Sequence, residues 1–586
     1  MIRRSAPLSR PCHPCGLDLR PTRGPVIELE GRAKHALETG RTRLVAAGLG
    51  FALAFFILAW RLVDLGLGGS VAEPGIAETT TAPLATGRAD IVDRNGVVLA
   101  TTLPTASLYA DARLVPNPAE AAAALAAVLP DTKEAQLREK LASGKSFVWL
   151  ERQLSPREQY EVNRLGIPGL SFQREMTRIY PQGALTAHIV GFTNVDNRGL
   201  AGIEQAFDEQ LRGRTEPLAL SIDLRVQDLV AEELARGVAR FEAIGGVGMV
   251  LDLQTGELLA SVSLPTYDPL KPAAAGDDAR FNRATLGSYE MGSTFKIFTA
   301  AMALEAGTVQ LTGGYDASKP LKVGRFTIED FKGKHRWLSV PEIIIYSSNI
   351  GAAQMGRDVG TERQQFYLEA LGLTRKPEIE LPEVAAPQVP SPWRDINTLT
   401  IAFGHGIAVS PLQLVTAVGA TLNGGIFRAS TFLKNENGTP GVRILSEETS
   451  ADIRWLLRLN ALAGSGKKAD VAGYLVGGKT GTAEKLTGGH YAKDKRVASF
   501  VGAFPMDAPR YLVLVMVDEP KPQADTGAWA TGSVVAAPIT GEIIARLGPL
   551  LGVAPVAPEV AVVTDEALIP ILAKAKWGGG RTLASN

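Results

Sequence analysis

The hydrophobic pattern divides the chain into one short uncharged run near its start and a long remainder in which two-residue and helical periodicities alternate. Leu44–Trp60 (LVAAGLGFALAFFILAW) holds 17 residues without a charge, and as a helix it spans about 25 Å. That is the low end for crossing a bilayer, and Leu62–Leu67 can lengthen it. Residues 1–43 lack sustained periodicity and read as a disordered tail, whereas 67–87, rich in Thr, Pro and Gly, read as a linker. From 88 to 215 the pattern is mixed. Ile91–Ala100 (IVDRNGVVLA) predicts a hairpin turning at Arg94-Asn95-Gly96, and Ala119–Leu129 an alanine-rich helix. A second region runs over 216–550. Pro217–Asp223 is strand-like, and Val226–Phe241 has helical spacing. Val247–Asp252 and Glu257–Ser263 are strands joined across Gln254-Thr255-Gly256, and Val497–Phe504 pairs with Tyr511–Val517. Early and late hairpins around a helical middle predict an α+β fold, a central antiparallel sheet flanked by helices. Residues 551–586 read as a tail.

Composition narrows the classes. Lys plus Arg and Asp plus Glu both number 61 in 586 residues, so no charge imbalance points to nucleic acid. The tail is basic, with nine Lys/Arg against four Asp/Glu over 1–43. Arg41 and Arg43 precede the apolar run, which sets the N-terminus in the cytoplasm and the bulk of the chain outside it. A cleaved signal peptide ending near Ser70-Val71-Ala72 is the competing reading, but its n-region would be very long, and an uncleaved anchor over 44–66 is expected. Cys12 and Cys15 are the only cysteines. Without a second C-x-x-C pair they form neither a zinc site nor a recognisable redox unit.

The chemistry lies in three short motifs. YEMGSTFKIF places Ser293 and Lys296 three residues apart, on one face of a helix that is expected over Thr294–Leu304. Ser347-Ser348-Asn349 and Lys479-Thr480-Gly481-Thr482 follow in that order. Each piece alone is weak; three in sequence, S-x-x-K, S-x-N and K-T-G, are the signature of penicillin-recognising serine enzymes. A helix N-terminus favours the charge that develops at a serine nucleophile. Lys296 acts as its base only when neutral, which requires lowering a pKa of about 10.4 by burial and a neighbouring cation, here Lys479. Ser347 relays protons, and Asn349 orients Lys296. Both residues also suit helix capping, and the roles can coexist.

Gly473–Thr480 (GYLVGGKT) also satisfies G-x-x-x-x-G-K-[ST]. A phosphate loop must open a helix, whereas Gly481-Thr482-Ala483 does not, and Tyr474-Leu475-Val476 is itself strand-like. As an edge strand the segment instead presents a cation and two hydroxyls to a peptide carboxylate. Six histidines and the lack of a G-x-S-x-G elbow argue against a Ser-His-Asp site. His405 and His188 read as structural, and no metal cluster or cofactor motif stands out.

With these motifs the chain resembles the class B penicillin-binding proteins, single-pass peptidoglycan D,D-transpeptidases. ADIVDRNGVVLA and RIYPQGALTAHIVGFTNVDNRGLAGIEQAFDEQL are similar to motifs of that family's non-catalytic domain. LALSIDLRVQDLVAEEL, LDLQTGELLASVSLPTYDP and GHGIAVSPLQLV are similar to its transpeptidase domain. The stretch GFTNVDNRGLAGIEQAFDEQL is most similar to the septal, FtsI-type branch. The resemblance implies an elongated pedestal domain over 88–215 and a penicillin-binding transpeptidase domain over 216–550. It implies Ser293 as acylated nucleophile, Lys296 as base, and Ser347 and Asn349 as second motif. It further implies Lys479, Thr480, Gly481 and Thr482 as the substrate-binding strand, with an oxyanion hole from the backbone N–H groups of Ser293 and Thr482. The implied ligands are peptidoglycan stem peptides and β-lactams. Expected partners are a polytopic glycosyltransferase of the shape, elongation, division and sporulation family (FtsW type) and other divisome membrane proteins. The expected location is the inner membrane at the septum, with the catalytic domain in the periplasm.

Other classes fit less well. No E-x-x-L-N run lies between Ser347 and Lys479, as a class A β-lactamase requires. Residues 88–215 are too short for the glycosyltransferase of a bifunctional synthase. A β-lactam sensor would need a cytoplasmic effector and more spans. A non-catalytic divisome scaffold would not need intact motifs. An elongation-specific transpeptidase of the lateral wall is the serious alternative.

Overall fold

In this computed structural model residues 32–67, 87–487, 490–527 and 529–556 are described. The expectations for residues 1–31, including Cys12 and Cys15, for most of the linker and for the end of the chain lie outside them. The chain divides into two units, 1–84 and 85–586. The first contains helix α1, Arg32–Leu67, within which Phe51, Phe55, Phe56 and Trp60 are exposed. Among the described residues no helix is long and apolar enough to cross a membrane.

The second unit opens with a sheet built on one long strand. Strands β1 (Ile91–Val92) and β2 (Val98–Ala110) form the expected hairpin, with Gly96 at φ 84° in the turn. Asp93 holds that turn by accepting from the backbone N–H groups of Asn95 and Val97. Strand β3 (Val148–Leu154) and β4 (Leu170–Ile179) pair antiparallel with β2, β4 along ten consecutive residues. Strand β5 (Leu218–Ala219) pairs parallel with β1. Beneath the base of this sheet the buried carboxylate of Glu204 takes ion pairs from Arg88 and, at 2.6 Å, from Arg178. Two guanidiniums on one carboxylate satisfy its lone pairs, which makes so buried a charge tolerable.

The larger domain is organised by a five-stranded antiparallel sheet of β6 (Gly245–Asp252), β7 (Leu258–Leu264), β8 (Gly477–Thr487), β9 (His490–Phe504) and β10 (Tyr511–Asp518). Its order is β8-β9-β10-β6-β7, so the first and last hairpins of the domain meet along β10 and β6. Every residue of β10 is buried because both faces are covered. Leu512, Leu514 and Met516 enter the core holding Phe295 and Phe298, whereas Val513, Val515 and Val517 pack with Val230, Leu234, Ile543 and Ile544. Each such fully buried aliphatic side chain contributes about 1.5–3 kcal/mol. The second face is covered by α2 (Leu224–Arg240) and a helix over Ala536–Leu550.

Three expectations need correction. Pro217–Asp223 yields a strand only at Leu218–Ala219, because Ser221 turns to donate to Leu258 O and Thr431 O. Tyr474-Leu475-Val476 is not strand: Leu475 has φ 44°, and β8 starts only at Gly477. The helix expected over Thr294–Leu304 is a 3-10 turn, Gly292–Phe295, running into α3 (Lys296–Glu305). His188 is partly buried and packed as expected, its Nε2 3.3 Å from Pro265 O, and desolvation lowers its pKa to about 4.

Candidate active site

Three chain segments converge on Ser293, and backbone contact sets their spacing. Gly292 has φ 52°, and a β-carbon there would lie 2.7 Å from Thr482 O. A β-carbon on Gly404 would meet Gly292 O at 1.9 Å. Glycine is therefore required at both positions, by conformation and by space. The same close approach brings the start of the 3-10 turn against β8, with Thr482 N 3.4 Å from where the Gly292 β-carbon would sit. Ser293 thus stands at the N-terminal end of a helical segment, where unpaired N–H groups face outward.

Lys296 is buried, and its Nζ lies 2.9 Å from Ser293 Oγ, 2.9 Å from Ser347 O, 3.2 Å from Ser347 Oγ and 2.7 Å from Asn349 Oδ1. Two of these neighbours, Ser347 O and Asn349 Oδ1, can only accept. A neutral lysine has two N–H groups and one lone pair. The hydrogens satisfy the two carbonyl oxygens, and the lone pair is left for the Ser293 hydroxyl. The neutral form is available because burial, and then the Lys479 cation, hold the Lys296 pKa well below its usual value, against an opposing pull from Asp330.

Ser347 ends helix α4 (Val340–Tyr346) in the left-handed region, φ 56° and ψ 43°. This sharp reversal directs its Oγ between the two lysines, 3.0 Å from Lys479 Nζ and 3.2 Å from Lys296 Nζ. Ser348 then caps α5 (Asn349–Val359) by accepting from Gly351 N. The side-chain cap is therefore Ser348 rather than Ser347 or Asn349, whose side chains turn to the lysines instead. Asp330, which the motif reading missed, fixes the junction. It accepts from Ser348 Oγ at 2.7 Å, Asn349 N at 2.6 Å and Ile350 N at 3.0 Å. No sequence spacing marks it; only its loop's return to the start of α5 does.

Strand β8 carries the third motif on the sheet edge. Alternation puts Lys479 and Gly481 on one face and Thr480 and Thr482 on the other. Lys479 is fully buried, which lowers its pKa to about 7. Gly481 leaves room for Met291 O and Ser499 Oγ, 2.7 and 2.4 Å from its would-be β-carbon. Thr480 Oγ1 shares a hydrogen bond with Ser465 Oγ at 2.7 Å, and Thr482 Oγ1 accepts from Gly532 N at 3.0 Å. The strand continues to Thr487 and opens no helix, so the phosphate-loop reading fails on geometry. His405 Nε2 is 4.0 Å from Glu290 rather than at Ser293 Oγ.

A serine hydroxyl against a buried, deprotonable lysine, with a second lysine one hydroxyl away on an edge strand, defines a penicillin-recognising serine acyltransferase. Sequence comparison agrees. The Penicillin binding protein transpeptidase domain matches residues 246–545, and the Penicillin-binding Protein dimerisation domain matches 83–219. The chain is 39% identical to the Caulobacter vibrioides probable peptidoglycan D,D-transpeptidase FtsI, over 90% of this chain and 93% of that one. It is 34% identical to the probable peptidoglycan D,D-transpeptidase PenA of Neisseria meningitidis, over 83% and 88%. Penicillin binding protein 3 of Mycobacterium tuberculosis, solved with aztreonam, shares the fold at TM-score 0.64 and 24% identity, covering 80% of this chain and 98% of that one. The chain belongs to the class B penicillin-binding proteins, serine acyltransferases of the D,D-transpeptidase type.

Proposed function

We propose that this chain cross-links peptidoglycan stem peptides through an acyl-Ser293 intermediate during septal wall synthesis. The observation that carries the proposal is Lys296 Nζ at 2.9 Å from Ser293 Oγ, with its other contacts including two carbonyl oxygens that leave its lone pair free. Neutral Lys296 takes the hydroxyl proton as Oγ attacks the penultimate D-Ala carbonyl of the donor peptide. The C–N bond breaks, and the proton passes by way of Ser347 Oγ to the leaving D-Ala amine. The N–H groups of Ser293 and Thr482 stabilise the oxyanion. The donor's terminal carboxylate lies along β8 at Thr480 and Thr482, and restores the charge of Lys479. A β-lactam enters by the same route and remains as an acyl-serine.

The septal assignment rests on similarity to the Caulobacter FtsI across nearly both chains. The boundaries proposed are a tail over 1–43, an anchor over 44–66, a linker over 67–87, a pedestal over 88–215, a transpeptidase domain over 216–550 and a tail over 551–586. The uncharged run Leu44–Trp60 within α1, with its large apolar side chains exposed, supports the anchor. A transpeptidase without a polymerase needs a glycan-strand maker beside it, and an FtsW-type glycosyltransferase in the same membrane is the partner proposed. Purified full-length protein in detergent, given uncross-linked glycan strands, should yield cross-linked peptide dimers that vanish in Ser293→Ala. Depletion should give filamentous or chained cells; rounded cells would move the role to the lateral wall.

A further inference from the structure

Transfer of the acyl group places a further demand on the site. The second substrate is an amine, which arrives as an ammonium and must lose a proton before it can attack the acyl-enzyme. Lys296 has a single lone pair, and that lone pair is needed for the proton the nitrogen releases on attack. A second acceptor must therefore stand near Ser293.

Glu290 lies three residues before Ser293, and its side chain is only 8% exposed. Its carboxylate accepts from Gly406 N at 2.8 Å and from Tyr491 Oη at 3.0 and 3.1 Å. Among the described residues no lysine or arginine pairs with it; the one nearby base is His405, Nε2 at 4.0 Å. Burial holds the His405 pKa down at about 4, so that ring is neutral, and its Nδ1 is buried without a hydrogen-bond partner. The acid is thus held by neutral donors alone, an uncompensated site for a cation. It also borders the reaction centre. Gly404 O accepts from Gly292 N, so the Gly404-His405-Gly406 loop bridges Glu290 and the Ser293 turn. Tyr491 lies on β9, in the hairpin with the strand that bears Lys479, and at 45% exposure its phenol is the group an incoming ammonium can displace.

We infer that Glu290 binds the acceptor ammonium beside the acyl-enzyme and takes its first proton, with His405 walling the site. The neutral amine nitrogen attacks the Ser293 ester carbonyl, the C–N bond forms and the C–Oγ bond breaks. The second amine proton passes through Lys296 to Ser293 Oγ. Glu290 then returns its proton to solvent. The inference rests on the acyl-transfer reading above and assigns the acceptor side of that same site.

The test uses full-length protein in detergent, a soluble thioester of an acylated D-alanine as donor, and D-alanine as amine acceptor. The readouts are the rate of penicillin acylation and the ratio of transfer to hydrolysis. Glu290→Gln should lower that ratio at least tenfold while acylation falls less than threefold. Tyr491→Phe, which keeps the carboxylate, should hold the ratio within threefold or raise it. A ratio unchanged in Glu290→Gln, or acylation and transfer falling in proportion, would reduce Glu290 to a hairpin staple and overturn the inference. Should Glu290→Gln fail to fold, the wild type decides: it should prefer an acceptor that is an ammonium at the assay pH over an equally nucleophilic neutral amine by tenfold or more. Equal use of both overturns the inference. A wild type that forms no acyl-enzyme from the thioester would sink the parent reading, and this one with it.

Discussion

Replacing Asp330 tests how much of the site depends on a residue outside the three motifs. Its carboxylate takes three hydrogen bonds, from Ser348 Oγ and from the N–H groups of Asn349 and Ile350, at 2.6–3.0 Å. Bonds to a charged group are worth about 1.5–3 kcal/mol each and a lost helix cap about 0.5–2 kcal/mol, and they do not add fully. Asp330→Ala should therefore cost about 2–4 kcal/mol of stability. Asn349 Oδ1, 2.7 Å from Lys296 Nζ, loses its fixed position at the head of α5. A displacement of about 1 Å there corresponds to roughly a 100-fold loss in rate. A second signature follows from charge. Asp330 pulls the Lys296 pKa upward, so its removal should move the rising limb of the acylation profile to lower pH. The assay is the second-order rate of fluorescent-penicillin acylation across pH, beside a thermal melt. Stability lost with acylation kept within threefold, or a rising limb displaced to higher pH, would refute the claim that Asp330 positions the second motif.

Other outcomes follow from the same geometry. Acylation should rise with pH as Lys296 loses its proton and fall above about pH 7 for carboxylate-bearing substrates, as Lys479 loses its own. Lys479→Ala removes a cation that depresses the Lys296 pKa, so its rising limb should move to higher pH, as read by stopped-flow acylation. Gly404→Ala places a β-carbon 1.9 Å from Gly292 O at a residue with φ 86° and should abolish penicillin labelling, although the position lies outside the motifs. A chain starting near Gly87 should remain soluble, unfold cooperatively and label at the full-length rate, since the Ser293 contacts all fall within 85–586.

The strands of the larger domain were legible because a sheet covered on both faces imposes continuous apolar runs, as in Tyr511–Asp518. The three motifs were legible because their chemistry fixes residue type and spacing, and the fold links Ser293, Asn349 and Ser347 to Lys296, and Ser347 in turn to Lys479, by hydrogen bonds. What stayed hidden depends on contacts distant in sequence. Asp330 meets α5 only through its own loop, and Gly404 is constrained by Gly292, more than a hundred residues away. The strand at 217–223 is cut short by Ser221, whose hydroxyl bonds to Leu258 and Thr431. Local pattern carries no information about such partners.

Locating the penicillin adduct decides whether Ser293 is the nucleophile. The full-length protein is acylated, digested, and the modified peptide sequenced by mass spectrometry. One penicilloyl group is expected, on Ser293 within GSTFK, absent in Ser293→Ala and formed at least 100-fold more slowly in Lys296→Ala. An adduct on any other residue, or undiminished labelling of Ser293→Ala, would contradict that assignment.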